Sequence, residues 1–236
     1  MIKVDLKGSE KEFESGVSVA EVAKSIGMGL YKSACAAKVN GEVCDLRTVL
    51  NEDCKVEILT FDDKEGKKAY WHTASHIMAQ AVNRLYPGTK FAIGPAVDNG
   101  FYYDMEFETP LTSDDFPKIE AEMKKIIKKG AKIERFTKSR EDAIAYFQEK
   151  NEPYKVELIE DLPEGETISF YSQGEFTDLC AGPHLMTTKP VKAFKLTSLA
   201  GAYWRGDEHN KMLQRIYGTA FSKKAELEEY LTMICL

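Results

Sequence analysis

Three turn signals, Asn40-Gly41, Asp98-Asn99-Gly100 and Gln173-Gly174, each stand between two short strand-like runs. Residues that tolerate positive φ between such runs predict antiparallel hairpins. Three hairpins spread over 236 residues, with helical periodicities between them, confine the chain to an α+β fold. With 43% hydrophobic and 30% charged residues, disordered, collagen-like and fibrous classes are excluded. The length allows one large domain or two smaller ones with a real core. Lys3, Asp5 and Lys7 interrupt what would have to be an apolar signal segment, and no run of about 18 uncharged apolar residues occurs anywhere. The expectation is a soluble, cytoplasmic chain that does not engage a membrane. Cys35, Cys44, Cys54, Cys180 and Cys235 form an odd set without a CxxC pair, which fits reduced thiols better than a disulfide framework.

Residues 1–61 read as a small β-grasp unit, like ubiquitin. IKVDL alternates as a strand and pairs with one near Phe13; Ser18 and Glu21 form a capping box opening VAEVAKSIG; CAAKV and KVEILT complete the set. No residue in this unit looks poised for chemistry. FDDKEGKK is polar and holds a glycine, so residues 62–68 are expected to be a linker. A larger α+β domain is expected over 69–221. Trp71, Ala74, Met78, Ala81 and Leu85 mark an amphipathic helix over 69–85, with His72, His76, Gln80 and Asn83 on its other flank. Ser113 to Lys129 reads as a helix stopped by Gly130, and Ser139 caps another through Phe147. Beyond that the signals are strand-like, in ETISFYS, EFTDLC, residues 194–197 and MLQRIYG. Residues 222–236 look like the start of a helix leading to something longer.

The net charge of −6 is unevenly spread: eight basic against three acidic residues from Lys118 to Lys138, and eight against two from Lys189 to Lys224. Two local basic surfaces are therefore expected, although KKIIKK alone also suits the solvated face of a helix.

Of four histidines, three fall into two paired patterns, His72-x-x-x-His76 on a helix and Cys180-x-x-x-His184 across a Gly182-Pro183 bend. A spacing of four puts two imidazoles on one helical face. Three imidazoles and a thiolate are good tetrahedral zinc ligands, but if all four bind, no position remains for a reactive water. Asp178 shares a side of its strand with Cys180. Lys155 lies among apolar neighbours, where a buried ammonium could act as acid or base. Tyr102 and Tyr103 follow a turn and could offer hydroxyls to a cleft.

Taken together, HTASH, GPAVDNGFYYD, EPYKVELI, DLCAGPH and AGAYWRGDEHNKMLQRIYGTAF, in that order, closely resemble the N-terminal half of bacterial-type threonyl-tRNA synthetases, over about residues 1–231. The resemblance implies a TGS domain followed by an editing domain related to that of alanyl-tRNA synthetase, which removes serine wrongly attached to threonine tRNA. It places His72, His76, Cys180 and His184 on the editing quartet and Lys155, Asp178 and Tyr103 in the same cleft. It also implies editing without a bound metal, in contrast to the alanyl relatives. The synthetic core with its ATP, magnesium and zinc sites, and the contacts of a homodimeric parent, would lie beyond Leu236. The expected partner is the 3′ acceptor end of threonine tRNA, with Arg205, Lys211 and Arg215 as candidate phosphate contacts and Tyr203 and Trp204 weighed as base-stacking or core residues.

Overall fold

A computed structural model describes residues 1–234; Cys235 lies outside the described residues. Contacts divide the chain into two units, residues 1–73 with 182–186, and residues 74–181 with 187–236.

The first unit contains β1 (Ile2–Asp5), β2 (Glu10–Phe13), β3 (Val17–Ser18), α1 (Val19–Ile26), α2 (Met28–Ser33), β4 (Ala34–Val39), β5 (Glu42–Cys44), β6 (Val49–Leu50), β7 (Cys54–Thr60) and the start of α3 (Lys64–Leu85). The sheet order is β2-β1-β7-β4-β5, with β1 parallel to β7 and the other neighbours antiparallel. This is the expected β-grasp. Asn40 and Gly41 both adopt positive φ (50° and 88°), which makes the predicted hairpin between β4 and β5. Ser18 Oγ accepts the Glu21 N–H at 3.2 Å while Glu21 Oε2 accepts the Ser18 N–H at 2.9 Å, a reciprocal cap whose loss would cost about 1 kcal/mol. That cap aims Val19 and Val22 at Val4, Leu46 and Val56 in the core.

The stretch expected to be a linker is instead the first turns of α3. Gly66 explains both the structure and the misreading. A Cβ there would lie 1.8 Å from the Thr60 carbonyl oxygen, so only glycine lets the helix start against the end of β7.

The second unit carries the rest of α3, then β8 (Lys90–Phe91), β9 (Ala96–Val97), β10 (Gly100–Glu106), α4 (Phe116–Lys129), β11 (Ile133–Lys138), α5 (Arg140–Glu149), α6 (Pro153–Glu160), β12 (Ile168–Gln173), β13 (Phe176–Leu179), β14 (Ala193–Tyr203), β15 (Met212–Phe221) and α7 (Lys224–Ile234). One antiparallel sheet runs β14-β15-β10-β8 with β9 also on β10; a second runs β11-β12-β13. α4 ends as predicted, with Gly130 in the left-handed region (φ 64°) and its N–H on the carbonyls of Ile126 and Ile127. The expected strand character after Phe147 is corrected at residues 153–160, where α6 forms with Pro153 in its first turn. Cores form around Phe147, Ile159 and Phe170, and around Tyr154, Trp204 and Leu213. Among the described residues no disulfide forms; Cys35, Cys54 and Cys180 are buried and Cys44 is half-buried. None of the described helices is long and apolar enough to cross a membrane.

Candidate active site

α3 carries His72 and His76 one turn apart. The imidazoles of His72 and His184 meet with centroids 4.2 Å apart and planes tilted by 32°. His72 is half-buried, whereas His184 is wholly buried and held from several sides. The Thr73 hydroxyl donates to the Ala69 carbonyl at 2.9 Å, accepts the Leu185 N–H at 3.0 Å, and faces His184 Nδ1 at 3.0 Å. With the Thr73 proton on the Ala69 carbonyl, His184 Nδ1 is the donor and the lone pair of that ring is on Nε2; the other tautomer reverses the Thr73–His184 direction.

The backbone of the same bend is gripped by two residues of the β-grasp unit. Asp45 Oδ2 accepts the His184 N–H at 3.2 Å, and Arg47 donates to the carbonyls of His184 (3.3 Å) and Leu185 (2.8 Å). Asp45 and Arg47 are themselves paired at 2.8 Å. Asp45 and Arg47 thus hold the backbone of the bend, which is not a catalytic contact. Asp45 and Arg47 are 137 or more positions from their partners, and no local sequence signal marks such a contact.

Asp178, on β13, is the hub of a second cluster. Its Oδ1 accepts Lys155 Nζ at 2.6 Å, and its Oδ2 accepts the Tyr103 hydroxyl at 2.6 Å and lies 3.3 Å from His76 Nε2. Lys155 Nζ also donates to the Tyr103 hydroxyl at 2.9 Å. All four side chains are at least 96% buried. Lys155 is thus not an isolated cation among apolar residues but half of a buried ion pair. Burial pushes the Asp178 carboxyl up, but the Lys155 ammonium, His76 and the Tyr103 hydroxyl outweigh it and hold it below the usual carboxylate range. Burial lowers His76 to about 4, against the pull of Asp178 and with the help of Lys155, so the ring is neutral near pH 7. A carboxylate only accepts, which puts the His76 proton on Nε2 and its lone pair on Nδ1. Burial and Asp178 raise Tyr103 well above its ordinary value, and it stays a donor.

Strand alternation separates the two predicted tyrosines. Tyr103 enters this cluster, its ring so close to Gly94 that a Cβ there would lie 2.1 Å away. Tyr102 faces the other side, with the Arg215 guanidinium 3.8 Å from its ring centre. Cys180 packs with Ile133 and Tyr171; Ser169 fixes its backbone, accepting its N–H at 3.0 Å and donating to its carbonyl at 2.6 Å. His72 and His184 belong to the first unit and His76 and Cys180 to the second.

The candidate phosphate contacts are engaged elsewhere. Arg215 forms a two-point pair with Asp104, its cross-strand neighbour, at 2.6 and 2.8 Å. Arg205 pairs with Asp161 at 2.5 Å and Lys211 with Glu106 at 2.5 Å. Trp204 is core, buried against Tyr154 with its indole N–H on Glu157 at 2.9 Å, while Tyr203 is 40% exposed.

Glu152, too, has no signal in the sequence. Glu152 lines a cavity of about 190 Å³ together with Lys155, Asp178, Lys150, Glu175 and Asn83. Burial raises its carboxyl to about 7, against the Phe91 N–H bond (2.9 Å) and Lys155 and with the help of Asp178. A carboxyl raised from 4.5 contributes stability that is whole below pH 4.5 and lost as pH rises through about 7, about 3 kcal/mol in all. His76, lowered from 6.5 to about 4, has the opposite sign: its contribution is present above pH 6.5 and lost as pH falls through about 4. The two slopes oppose each other between pH 4.5 and 6.5. In Glu152→Gln the His76 slope is expected to emerge, so that urea-denaturation stability relative to the parent falls on acidification from pH 7 to 4.5. A difference curve flat over that range would contradict the burial of Glu152.

The fold defines a class: a β-grasp module followed in the chain by an α+β unit that holds a buried polar cluster. Comparison with known families agrees. Residues 4–60 match the TGS domain, and residues 168–217 match the threonyl and alanyl tRNA synthetase second additional domain. The chain is similar throughout to the N-terminal part of bacterial threonine–tRNA ligases. It is 63% identical over 235 residues to the threonine–tRNA ligases of Acetivibrio thermocellus and Clostridium botulinum, covering 99% of this chain and 37% of each relative. To that of Caldanaerobacter subterraneus subsp. tengcongensis it is 62% identical over 227 residues, 96% of this chain and 35% of the relative. The chain therefore spans little more than a third of the length of these relatives.

Proposed function

We propose that this chain is an editing hydrolase that cleaves the ester between serine and the terminal ribose of mischarged threonine tRNA. The observation that carries the proposal is the contact between the His72 and His184 rings, which ties the HxxxH helix to the CxxxH bend. One helical turn then leads to His76 and four residues of chain to Cys180. The threonine–tRNA ligase relatives support the same reading.

Serine lacks one methyl of threonine, and a missing methylene-sized group changes binding by only about 1–3 kcal/mol, so a synthetic site cannot reject it by affinity alone. A second site that admits serine and clashes with the extra methyl has the required opposite preference. Hydrolysis there needs a positioned water, a base, and donors for the developing oxyanion. His72 is the least buried of the three imidazoles and is assigned the water's proton. Lys155, fixed by Asp178, supplies positive charge, and Asp178 with Tyr103 orients the seryl amine or hydroxyl. His76, Cys180 and His184 shape the pocket and direct the water. Cys180 as nucleophile is the weaker assignment, since its thioester would need a second hydrolysis.

The donor set favours one other reading. In it the chain is a metal-dependent hydrolase that would hold zinc with His72, His76, His184 and Cys180, one of which would have to be released to leave a position for an activated water. Deacylation assays on seryl and threonyl esters of one tRNA decide between the readings. The expected result is seryl hydrolysis at least about tenfold faster than threonyl, retained after chelation and in Cys180→Ala. Loss on chelation with recovery on zinc addition would establish the metal reading. Seryl ester left at its spontaneous rate would make the chain a non-catalytic RNA-binding module.

A further inference from the structure

Asp178 receives two of its donors from different elements. Lys155 comes from α6 and Tyr103 from β10, and each reaches the carboxylate at 2.6 Å. Charge-assisted bonds this short tolerate little relative movement, so α6 and β10 need a fixed separation. The residue at the start of α6 bears on that separation.

Glu152 immediately precedes α6 and occupies its N-cap position, where a side-chain oxygen ordinarily accepts an N–H of the first helical turn. Glu152 makes no such bond with its own helix. Its Oε2 instead accepts the Phe91 N–H at 2.9 Å, from a residue of β8 61 positions earlier. A local stabilising bond is thus given up for a distant one. β8 is the neighbour of β10 in the sheet, with Phe91 opposite Met105. The buried Phe91 ring meets Tyr103 with centroids 5.7 Å apart and planes at 88°, and Phe176 at 5.8 Å and 73°. Phe176 lies two residues before Asp178, on the same face of β13.

The contacts close a ring. Glu152 holds Phe91, Phe91 packs against Tyr103 and against the strand that carries Asp178, and Asp178 holds Lys155. Lys155 is three residues beyond Glu152, about one turn along α6, which brings the ring back to its start.

We propose that Glu152 is a positioning residue for the Asp178 cluster: its bond to Phe91 sets α6 against β8 and thereby places Lys155 and Tyr103 on their shared carboxylate. The consequence for ester hydrolysis rests on the proposed function; the consequence for Lys155 does not. What counts is the reach of the side chain and its acceptor oxygen, not its charge. Glutamine keeps both without the charge. Aspartate keeps the charge but is one methylene shorter, which takes its oxygens out of reach of Phe91, and it is among the preferred N-caps, so it can turn back onto its own helix.

The test compares the parent with Glu152→Gln and Glu152→Asp by urea denaturation, by kcat and KM on the seryl ester of threonine tRNA, and by ¹⁵N NMR of the lysine ammonium groups. The Lys155 ammonium is buried on two acceptors, so its protons exchange slowly and its signal is identified by its loss in Lys155→Arg. Glu152→Gln is expected to keep that signal and most of kcat. Glu152→Asp is expected to unfold at nearly the parental urea concentration, yet to shift or broaden the Lys155 signal. Its kcat should fall by about 10–100-fold, as a displacement of about 1 Å costs at a reacting centre, with KM nearly unchanged. Equal losses in the two variants, or parental kcat with an unmoved Lys155 signal in Glu152→Asp, would overturn the proposal. An unfolded Glu152→Asp would overturn it too, by making the bond a stability anchor. Loss in Glu152→Gln alone would assign the role to the charge instead of the Phe91 bond. A parent that leaves the seryl ester intact would sink the editing reading, while the Lys155 signal would still decide the role of Glu152.

Discussion

Lys155→Met is expected to abolish ester hydrolysis and to destabilise the protein by about 3–5 kcal/mol, because it leaves the buried Asp178 carboxylate without its cation. The Tyr103 hydroxyl at 2.6 Å and the neutral His76 ring at 3.3 Å remain, but neither carries a compensating charge. Asp178 would then be forced to bind a proton, and its ability to orient a substrate amine would go with its charge. The double variant Lys155→Met/Asp178→Leu removes both charges and is expected to regain much of the stability and none of the activity. His72→Ala provides the contrast: the ring is half-buried, so activity should fall by about 10²–10⁴-fold with stability nearly unchanged. Urea denaturation of the four proteins beside seryl-ester assays reads both quantities. Lys155→Met within about 1 kcal/mol of the parent would mean that the ion pair does not hold the cluster together.

What made the fold legible was local chemistry that tertiary contacts did not override. Asn40-Gly41, the Ser18/Glu21 cap and Gly130 each dictate a conformation by themselves, and each is found in place. α6 was hidden because the residue that interrupts its apolar pattern is a buried lysine. Of its buried residues Tyr154, Lys155 and Ile159, the middle position is a lysine that only a partner on β13 makes tolerable. β11 was equally silent, since it buries only Ile133 and shows no alternation. At the site, the spacing of His72 and His76 and of Cys180 and His184 could be read directly. That Tyr103 and not Tyr102 joins Asp178 follows from strand alternation and was available from the same motif. Glu152, Asp45 and Arg47 were not, because their significance arises from partners brought close only by folding.

On the proposed editing reading, Asp45 and Arg47 would position His184 through its backbone. Arg47→Ala removes the donors to two carbonyls, and Asp45 then loses the cation that steadies its grip on the His184 N–H. Groups that orient a functional histidine typically contribute about 10–100-fold, so kcat for seryl-ester hydrolysis should fall by that factor. KM should change little, because neither residue is assigned a substrate contact. Arg47→Lys keeps the charge but not the fork that spans adjacent carbonyls, and should restore only part of the rate. Thr73→Val tests the same geometry from the other side: it strips partners from the Leu185 N–H and from His184 Nδ1, costs about 1–3 kcal/mol, and frees the ring to change tautomer. A histidine free to exchange its proton between nitrogens should show an altered pH–rate profile, which a purely structural defect would not produce. If Arg47→Ala lowered thermal stability but left kcat and the pH profile intact, the clamp would serve only to dock the bend and not to orient His184.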